Sequence, residues 1–353
     1  MNLLKKDWTH NQVLSKFPDV FVKFRDPIEG ELKRLLRKRR LPLYEMMRYH
    51  LGWVDELGKP TSSGGKYLRA TLCLLASQAV GGEFEVALRF AAAIELVHNF
   101  SLIHDDIQDR DNERRHRPTV WKIWGEPQAI NAGTAMRMLA SIAITDLKTT
   151  RLPAERLIEA HKILDESCLR MIEGQYLDIS FEENLEIQLT DYMDMVEKKT
   201  AALIEASLQL GAITVLSQDE AVPFKHFGRY LGMAFQIRDD MLGIWGEEGA
   251  TGKPGGSDIR HKKKSFPIVY ALERASGSIR TDIISTFKKG ILDDDDIKRL
   301  MSGLEKLGAY RFSQKKCEMY YGKALNEIKK LPVLISYIDD FKEVARFLIE
   351  RNF

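Results

Sequence analysis

The sequence has few of the features that mark secreted proteins. Only three cysteines, Cys73, Cys168 and Cys317, occur in 353 residues, and they lie far apart. An odd number of distant cysteines argues against a disulfide framework and against a clustered metal site. We predict that each is a small buried hydrophobic residue.

Nothing in the sequence indicates attachment to a membrane or to nucleic acid. No uninterrupted apolar run approaches the ~20 residues of a membrane-spanning helix, and the first ten residues, MNLLKKDWTH, lack the apolar stretch of a signal peptide. The 53 basic and 51 acidic residues give a net charge of +2, which creates no strong field around the whole molecule. We therefore expect a cytoplasmic protein with no nucleic-acid partner and no membrane anchor, whose charge-based chemistry comes from local clusters.

Alternation of polar and apolar residues is scarce, whereas helical patterns dominate. Residues 83–106 contain no glycine or proline and are apolar nearly all round, which is typical of a helix buried in a bundle. No repeat, low-complexity tract or long linker interrupts the chain. We predict an all-α fold, a single-domain helical bundle over residues 1–353. The other helical segments are 66–80, 153–179, 191–213 and 217–246.

The predicted helix 83–106 runs into a group of carboxylates. Asp105 and Asp109 are one helical turn apart and share a face, and Asp106 lies beside them. The C-terminal end of a helix disfavours negative charge, so these aspartates need a cation. Oxygen ligands without cysteine or paired histidine select a hard ion, most readily Mg²⁺. A solvated helix end is the alternative interpretation.

A second acidic pair, Asp239 and Asp240, is followed by a glycine-rich basic loop. Glycines allow backbone N–H groups to approach an anion, and lysines neutralise it. Carboxylates that bind Mg²⁺, together with bases that bind the remaining oxygens, suit a diphosphate. A solvated surface loop is again the alternative. The basic residues of the loop are Lys253, Arg260, Lys262, Lys263 and Lys264.

The stretch GGKYLR indicates a third anion site. We expect Lys66 and Arg69 to lie on the first turn of a helix, whose N–H groups face the same anion. With one site rich in carboxylates and one without them, the sequence suits two diphosphates. A further acidic run, residues 291–300, precedes a helical segment, and no basic, glycine-rich segment follows it, so we interpret it as a helix N-terminus.

Taken together, these motifs resemble those of the trans-isoprenyl diphosphate synthases. The match runs in order over about residues 60–270, through GGKYLR, ELVHNFSLIHDDIQD, RRHRPT, KTAAL, FQIRDD and TGKPGGSDIRHKKKSFP. The resemblance implies an all-α bundle of the isoprenoid synthase type around a deep central cavity, with C-terminal helices over 275–353. It also implies a homodimeric prenyltransferase that joins isopentenyl diphosphate to an allylic diphosphate by Mg²⁺-assisted ionisation.

The resemblance further implies roles for individual residues. Three Mg²⁺ ions would be held with the allylic diphosphate by Asp105, Asp109 and Asp239, with Asp106 and Asp240 in support. The residues that match basic contacts to the allylic diphosphate are Arg114, Lys199, Lys253 and Lys263. Those that match the isopentenyl diphosphate site are Lys66, Arg69, His98 and Arg115, and those near the reacting carbons are Thr200 and Gln236.

The sequence departs from the family pattern in two places. Gly243 replaces the last aspartate of the second motif, and we expect altered metal binding rather than loss of activity. His116 and Lys262 occupy positions where glycine is frequent in the family, so the sequence leaves the backbone conformation of these two loops open.

The product length should depend on residues that precede Asp105 on its helix. Phe100 lies five residues earlier, about 7.5 Å along the helix axis, and Ser101 beside it is small. An aromatic residue here resembles the shorter-chain synthases, so we predict geranylgeranyl diphosphate, with Phe100 and Ser101 at the cavity floor. A simple core role for Phe100 is the alternative.

Other functions remain open at the level of sequence. The product could be farnesyl or a longer diphosphate. A class I terpene cyclase shares the bundle, but it binds one diphosphate and leaves Lys66, Arg69 and Arg115 unexplained. A non-catalytic partner subunit would fit Gly243, although both aspartate pairs are intact. A generic helical scaffold would leave both acidic clusters unexplained.

Overall fold

The structure, a computed structural model, describes residues 17–61, 64–145, 152–246 and 256–350. Helices make up nearly all the secondary structure of these residues, which confirms the predicted all-α fold. The strands β1 (Glu113–Arg114) and β2 (Arg117–Pro118) form a short antiparallel hairpin. The helices are α1 (Asp19–Leu36), α2 (Pro42–His50), α3 (Leu68–Ala79), α4 (Phe84–Gln108), α5 (Val120–Trp124), α6 (Glu126–Thr145), α7 (Ala154–Phe181), α8 (Leu189–Val196), α9 (Ala202–Ala212), α10 (Val222–Trp245), α11 (Ser257–Arg260), α12 (Phe266–Arg274), α13 (Gly277–Lys288), α14 (Asp294–Lys306), α15 (Ala309–Ile328) and α16 (Ile338–Glu350).

The predicted helical segments are helical over most of their length, although α3 and α10 begin two and five residues later than predicted and one segment is interrupted. Residues 191–213, predicted as a single helix, contain the end of α8, a π-helical turn at Glu197–Ala201, and α9. A π turn places one extra residue in a helix and changes which side chains share a face, and such turns are frequent at functional sites. This turn carries two of the predicted site residues, Lys199 and Thr200.

The described residues divide into two compact units. The first is drawn from 1–164, 207–221 and 333–340, and the second from 165–206, 222–332 and 341–353. The single-domain organisation of the whole chain stays a prediction.

In the first unit, α4 is the central helix and packs against α3 and α6. It is buried on all sides along most of its length, as its apolar pattern predicts. In the described part of the chain, α4 is also the one helix long and apolar enough to cross a membrane. However, 78% of its apolar window is buried inside the protein, as in a core helix.

In the second unit, α10 packs against α15 and against the π turn. A Cβ atom at Gly232 would lie 2.6 Å from the Ala201 Cα atom, so glycine allows α10 to approach the turn closely. This approach brings the C-terminal half of α10 alongside the side chains of the turn.

Two further predictions concern features outside the site. All three cysteines are buried and unpaired by disulfides, as predicted. The acidic run at 291–300 begins α14: the Asp296 N–H donates to Asp293 Oδ1 at 2.9 Å, and the Asp293 N–H donates to Asp296 Oδ2 at 3.1 Å. The acidic run therefore forms a helix cap.

Candidate active site

The first acidic motif lies at the C-terminal end of α4, in the first unit. Asp105 and Asp106 occupy the last turn, and Asp109 caps the helix, its N–H donating to the Asp105 carbonyl at 2.8 Å. The carboxylates thus face the negative end of the helix dipole, as the sequence predicts.

Asp106 is the buried member of this motif, with 1% of its surface exposed. Arg114, on β1, places Nε and Nη2 each 2.7 Å from Asp106 Oδ1. Asp106 Oδ2 is buried and has no hydrogen-bond partner. Burial raises the pKa of Asp106 to about 6, and Arg114 acts against this rise. Asp106 therefore has one oxygen paired with arginine and one buried oxygen without a hydrogen-bond partner.

A small pocket adjoins this pair in the first unit. Asp106, Arg114 and Arg115 line it, together with His50 and Thr119. Burial lowers the pKa of His50 well below its usual range, and Arg115 acts in the same direction. The pocket, which Arg117 also lines, therefore combines three guanidinium groups and one carboxylate with a neutral imidazole, a set that favours an anion.

The proposed isopentenyl diphosphate residues are brought together in part. The Arg69 Nη1 atom lies 3.2 Å from His98 Nε2. Arginine can only donate a hydrogen bond, so His98 accepts it as a neutral imidazole. Burial, reinforced by Arg69, lowers the pKa of His98 well below its usual range. Arg115 lies near Gly65, where a Cβ atom would be 3.3 Å from its Nη2 atom.

Lys66 does not lie on the first turn of a helix, so that expectation was wrong. α3 begins at Leu68, and Tyr67 precedes it with a φ angle of +49°. A left-handed residue cannot continue a right-handed helix. Lys66 therefore stands outside α3 and does not share a helical face with Arg69.

Glu95 was missed by the sequence reasoning. It is 3% exposed on α4, and Asn99 Nδ2 donates to its Oε1 atom at 3.0 Å. Burial raises the pKa of Glu95, and the positive charge of Arg69 opposes this rise without cancelling it. A charged residue three positions before His98, in the mostly apolar middle of the helix, was the available signal. It provides a negative charge close to the basic residues.

The second acidic motif lies on α10, in the second unit. Asp239 is exposed, and Asp240 is 1% exposed. The Phe266 N–H donates to Asp240 Oδ2 at 2.8 Å, and the Tyr192 hydroxyl donates to the same oxygen. Gln236 Nε2 donates to Asp240 Oδ1 at 3.0 Å. Burial raises the pKa of Asp240 to about 6 even so.

The π turn adds two side chains to this motif. Thr200 Oγ1 donates to Gln236 Oε1 at 2.7 Å, which continues the hydrogen-bond chain from Asp240. Lys199 Nζ donates to Asp178 Oδ2 on α7 at 2.5 Å. Sequence reasoning identified Lys199, Thr200 and Gln236, but it missed Asp178 and Tyr192, because their roles depend on contacts between distant segments.

The basic side chains that follow α11 have different partners. Lys263 Nζ lies 4.0 Å from Asp240 Oδ1. Partial burial acts to lower the pKa of Lys263, but Asp258 and Asp240 outweigh it and raise the pKa. Lys264 is turned inward: it donates to the Glu182 carbonyl at 2.8 Å, and burial lowers its pKa to about 8. Lys253 lies outside the described residues.

The two positions where glycine is frequent keep a glycine-like backbone. His116 has a φ angle of +59°, and Lys262 has a φ angle of +52°. Non-glycine residues adopt this left-handed region at an energetic cost. The loops therefore retain the conformation that glycine would favour, despite the departure in sequence.

Phe100 and Ser101 lie on α4, as expected. Phe100 is 6% exposed, and its ring meets the His104 ring edge to face, with centroids 5.2 Å apart. Ser101 Oγ donates to the His98 carbonyl at 2.8 Å, so this small polar side chain is turned back to its own helix.

The carboxylates fit a hard divalent cation that binds together with an anion. Among the residues that the structure describes, no three His, Cys, Asp or Glu side chains are grouped as a ready-made metal site. The oxygen-only donors of both motifs suit Mg²⁺, which keeps some ligands from substrate phosphates and water. The buried, unpartnered Asp106 Oδ2 atom can support such an ion from beside the more exposed Asp105 and Asp109.

Comparisons with known proteins identify the family. The family model described as polyprenyl synthetase matches residues 53–304. The chain is 34% identical over 314 residues to a (2E,6E)-farnesyl diphosphate synthase of Mycobacterium tuberculosis, covering 87% of this chain and 86% of the relative. It is 42% identical over 247 residues to a geranylgeranyl diphosphate synthase of the same species, covering 69% of each.

Solved structures agree. A polyprenyl synthetase from Streptomyces coelicolor superposes with a TM-score of 0.87 at 31% identity, covering 94% of this chain and 99% of that one. A geranylgeranyl pyrophosphate synthetase from Pyrococcus horikoshii gives 0.85 at 32% identity, covering 94% and 98%. The chain belongs to the polyprenyl synthetase family. The resemblance to the trans-isoprenyl diphosphate synthases is thus confirmed, and the protein is a prenyl-transferring enzyme.

Proposed function

We propose that this enzyme condenses isopentenyl diphosphate with an allylic diphosphate, head to tail and in trans, to give geranylgeranyl diphosphate. The observation that carries the proposal is the presence of two different anion-binding arrangements in the first unit. One combines the buried carboxylate of Asp106 with Arg114, and the other combines Arg69 with a neutral His98. The first suits a diphosphate bound with metal ions, and the second suits a diphosphate bound without them.

The proposed cofactor is Mg²⁺, three ions in each site, held by Asp105, Asp109 and Asp239. When bound, Mg²⁺ would supply positive charge that stabilises the departing diphosphate. Asp106 and Asp240 support these ligands, because hydrogen-bond donors fix both in place. A carboxylate fixed in this way loses little freedom when the substrate binds.

The chain's own bases complete the leaving-group site. Lys263 stays protonated beside Asp240, and we assign it, with Arg114, Lys199 and Lys253, to the oxygens of the allylic diphosphate. The allylic C–O bond breaks, and its electron pair leaves with the diphosphate. Positive side chains aimed at that developing charge lower the barrier.

The second substrate is assigned to Lys66, Arg69, His98 and Arg115. Its double bond attacks the allylic cation and forms the new C–C bond. A proton is then lost to the released diphosphate, so no strong side-chain base is required. Thr200 and Gln236 are joined by a 2.7 Å hydrogen bond, and we place them near the reacting carbons.

The proposed chain length rests on Phe100. Relatives carry the names farnesyl, geranylgeranyl and geranylfarnesyl diphosphate synthase, so the family leaves the length open. Phe100 is buried on α4, more than one helical turn before Asp105. We assign the 20-carbon product because this ring, beside the small Ser101, would stop a longer chain.

Product analysis tests the proposal. The purified protein is incubated with Mg²⁺, isopentenyl diphosphate and, separately, each five-, ten- and fifteen-carbon allylic diphosphate, and the dephosphorylated alcohols are identified by mass spectrometry. We expect a linear twenty-carbon alcohol. No condensation by the chain alone would overturn the synthase in favour of the partner-subunit alternative, and a cyclic hydrocarbon from one diphosphate would favour the cyclase.

The variant Phe100→Ala should give longer products, because it removes the ring proposed as the floor. Leu102→Ala is a matched control, since residue 102 points about 200° away round the helix. The control should leave the distribution unchanged. A product from Phe100→Ala identical to that of the parent enzyme would show that Phe100 is only a core residue.

We also propose a cytoplasmic homodimer. Two helices carry large apolar side chains on exposed positions one turn apart: Met138 and Ile142 on α6 are 53% and 46% exposed, and Leu169, Ile172 and Tyr176 on α7 are 59%, 50% and 72% exposed. Exposed apolar stripes of this kind are typical of surfaces that a second copy covers. Light scattering at several concentrations tests this, and a monomer at micromolar concentration would contradict it.

A further inference from the structure

The second acidic motif ends on a glycine, yet a carboxylate fills the space beside that glycine. Gly243 lies four residues after Asp239 on α10, so the two positions share a helical face. A Cβ atom built at Gly243 would lie 2.4 Å from Asp258 Cγ and Oδ2, and 2.6 Å from Asp258 Oδ1. Real Cβ atoms do not make contacts this short. The Asp258 carboxylate therefore occupies the position where a side chain at residue 243 would begin.

Backbone hydrogen bonds hold Asp258 in this place. The Gly256 N–H donates to the Ile244 carbonyl at 3.0 Å, which ties the start of α11 to the last turn of α10. The Lys263 N–H donates to the Asp258 carbonyl at 2.9 Å, which folds the following basic residues back toward the same point. Both contacts lie within the second unit and next to the second acidic motif.

The charge of Asp258 acts on the motif itself. Together with Asp240, it keeps Lys263 protonated against the effect of partial burial. It also adds to the rise that burial produces in the pKa of Asp240. The negative charge of Asp258 therefore acts on Lys263 and on Asp240, the buried acid of the motif.

We propose that Asp258 supplies the third carboxylate of the second acidic motif, replacing the aspartate that Gly243 lacks, and so contributes to binding Mg²⁺ together with diphosphate. The inference rests on the proposed function, since it names a residue of the same diphosphate site. Glycine at 243 is then a requirement of the arrangement, because any larger residue displaces the Asp258 carboxylate.

The measurement is equilibrium binding of Mg²⁺ in the presence of inorganic pyrophosphate, by isothermal titration calorimetry, independent of turnover. Asp258→Asn keeps the shape and removes the charge, and Gly243→Ala keeps the acid but pushes it aside. Both should weaken the coupled binding by at least about tenfold, since each removes a contact between charged groups. The double variant Gly243→Asp with Asp258→Ala should recover most of the affinity that Asp258→Ala loses.

Asp294→Asn is the matched control. Asp294 is exposed, and its Oδ1 atom pairs with Arg260 Nη2 on α11 at 2.8 Å, so the variant loosens the same short helix without altering residue 258. We expect it to bind as the parent does. Equal weakening by Asp294→Asn and Asp258→Asn would overturn the proposal, as would parental binding by Asp258→Asn.

The double variant distinguishes a role of Asp258 in binding from a role in folding alone. If it binds no better than Asp258→Ala alone, the carboxylate at this point is not what matters, and the proposal fails. Unfolding of every Asp258 variant, the double variant included, would make Asp258 a structural residue and would also overturn it. Failure of the parent enzyme to condense its substrates, with Mg²⁺ and pyrophosphate still bound, would instead count against the proposed function alone.

Discussion

Each of the two acidic motifs has one buried aspartate, Asp106 and Asp240, but the two motifs stabilise it in different ways. In the first, Asp106 has a charged partner, Arg114, on one oxygen and no partner on the other. In the second, the Tyr192 hydroxyl and the Phe266 N–H both donate to one oxygen of Asp240, and the charged Lys263 lies 4.0 Å from the other oxygen, beyond hydrogen-bond distance. An arginine compensates charge directly, whereas neutral donors reduce the cost of burial without cancelling the charge.

Two motifs that are similar in sequence can therefore form sites that are not equivalent in structure. The first motif has its three aspartates at one helix end, and Arg114 of the β hairpin pairs with one of them. The second motif carries two aspartates on α10 and has the carboxylate of Asp258 beside its glycine. Substitutions that look alike in sequence should therefore have different consequences in the two places.

The largest expected effect is on catalysis, and it should be alike in both motifs. Asp105→Ala and Asp239→Ala each remove a proposed metal ligand, so kcat/KM should fall by about 1000-fold. Neither aspartate is fully buried, so the thermal unfolding midpoint should hardly change. Steady-state kinetics and thermal melts check this, and a fall of less than tenfold in either variant would remove that residue from the metal site.

The next effect concerns pH. The folded-state pKa values of Asp106 and Asp240 are raised to about 6, above the unfolded value of 3.8. A raised pKa favours the folded state at low pH, and this stabilisation is lost as the pH rises from about 4 to about 6. For Asp240 the loss is about 3 kcal/mol.

Comparison of the parent protein with Asp240→Asn isolates this contribution, because the variant cannot titrate there. The free energy of unfolding of the variant, minus that of the parent, should increase between pH 4 and pH 6. Urea denaturation without Mg²⁺ at several pH values measures it. A difference independent of pH would contradict the raised pKa.

A smaller effect separates the two ways of holding a buried carboxylate. Arg114→Ala leaves Asp106 buried without its charged partner and should lower the free energy of unfolding by about 2 kcal/mol, whereas Tyr192→Phe removes one neutral donor of several and should cost about 1 kcal/mol. Urea denaturation at pH 7.5 compares them. The opposite order would show that neutral donors contribute more here than the arginine does.

The smallest effect concerns the loop that follows the first motif. His116→Gly should stabilise the protein by about 0.5 kcal/mol, because relief of the left-handed strain slightly exceeds the entropy cost of glycine. A thermal melt should show a midpoint higher by about 0.7 °C. A lower midpoint would mean that the His116 side chain makes a contact worth more than the strain.

Much of the fold and of the site could be predicted from local sequence. The apolar pattern of 83–106 predicts α4, and the aspartates at its end predict the first motif, because both depend on residues near one another in the chain. The same reasoning placed Lys66 on a helix and failed, since the left-handed Tyr67 begins α3 later. A single backbone angle was enough to move a charged residue off the helical face.

The rest depended on contacts between distant segments. Nothing in the sequence around Asp258, which lies in the basic loop, marks it as a site residue. Only the fold brings it to Gly243. Tyr192 is 48 residues from Asp240, and Asp178 is 21 residues from Lys199. No spacing rule predicts such pairs, because the angle and approach of two helices decide them.

The π turn at Glu197–Ala201 also changes the direction in which the side chains after it leave the helix. One added residue corresponds to about 100° of rotation, so the residues before and after the turn follow two different helical registers. α8 has one buried face, formed by Tyr192, Met195 and Val196, whereas α9 is buried nearly all round, and between them Thr200 donates to Gln236. In a regular helix of the same sequence, the side chains after the turn would be rotated by about 100° relative to those of α8.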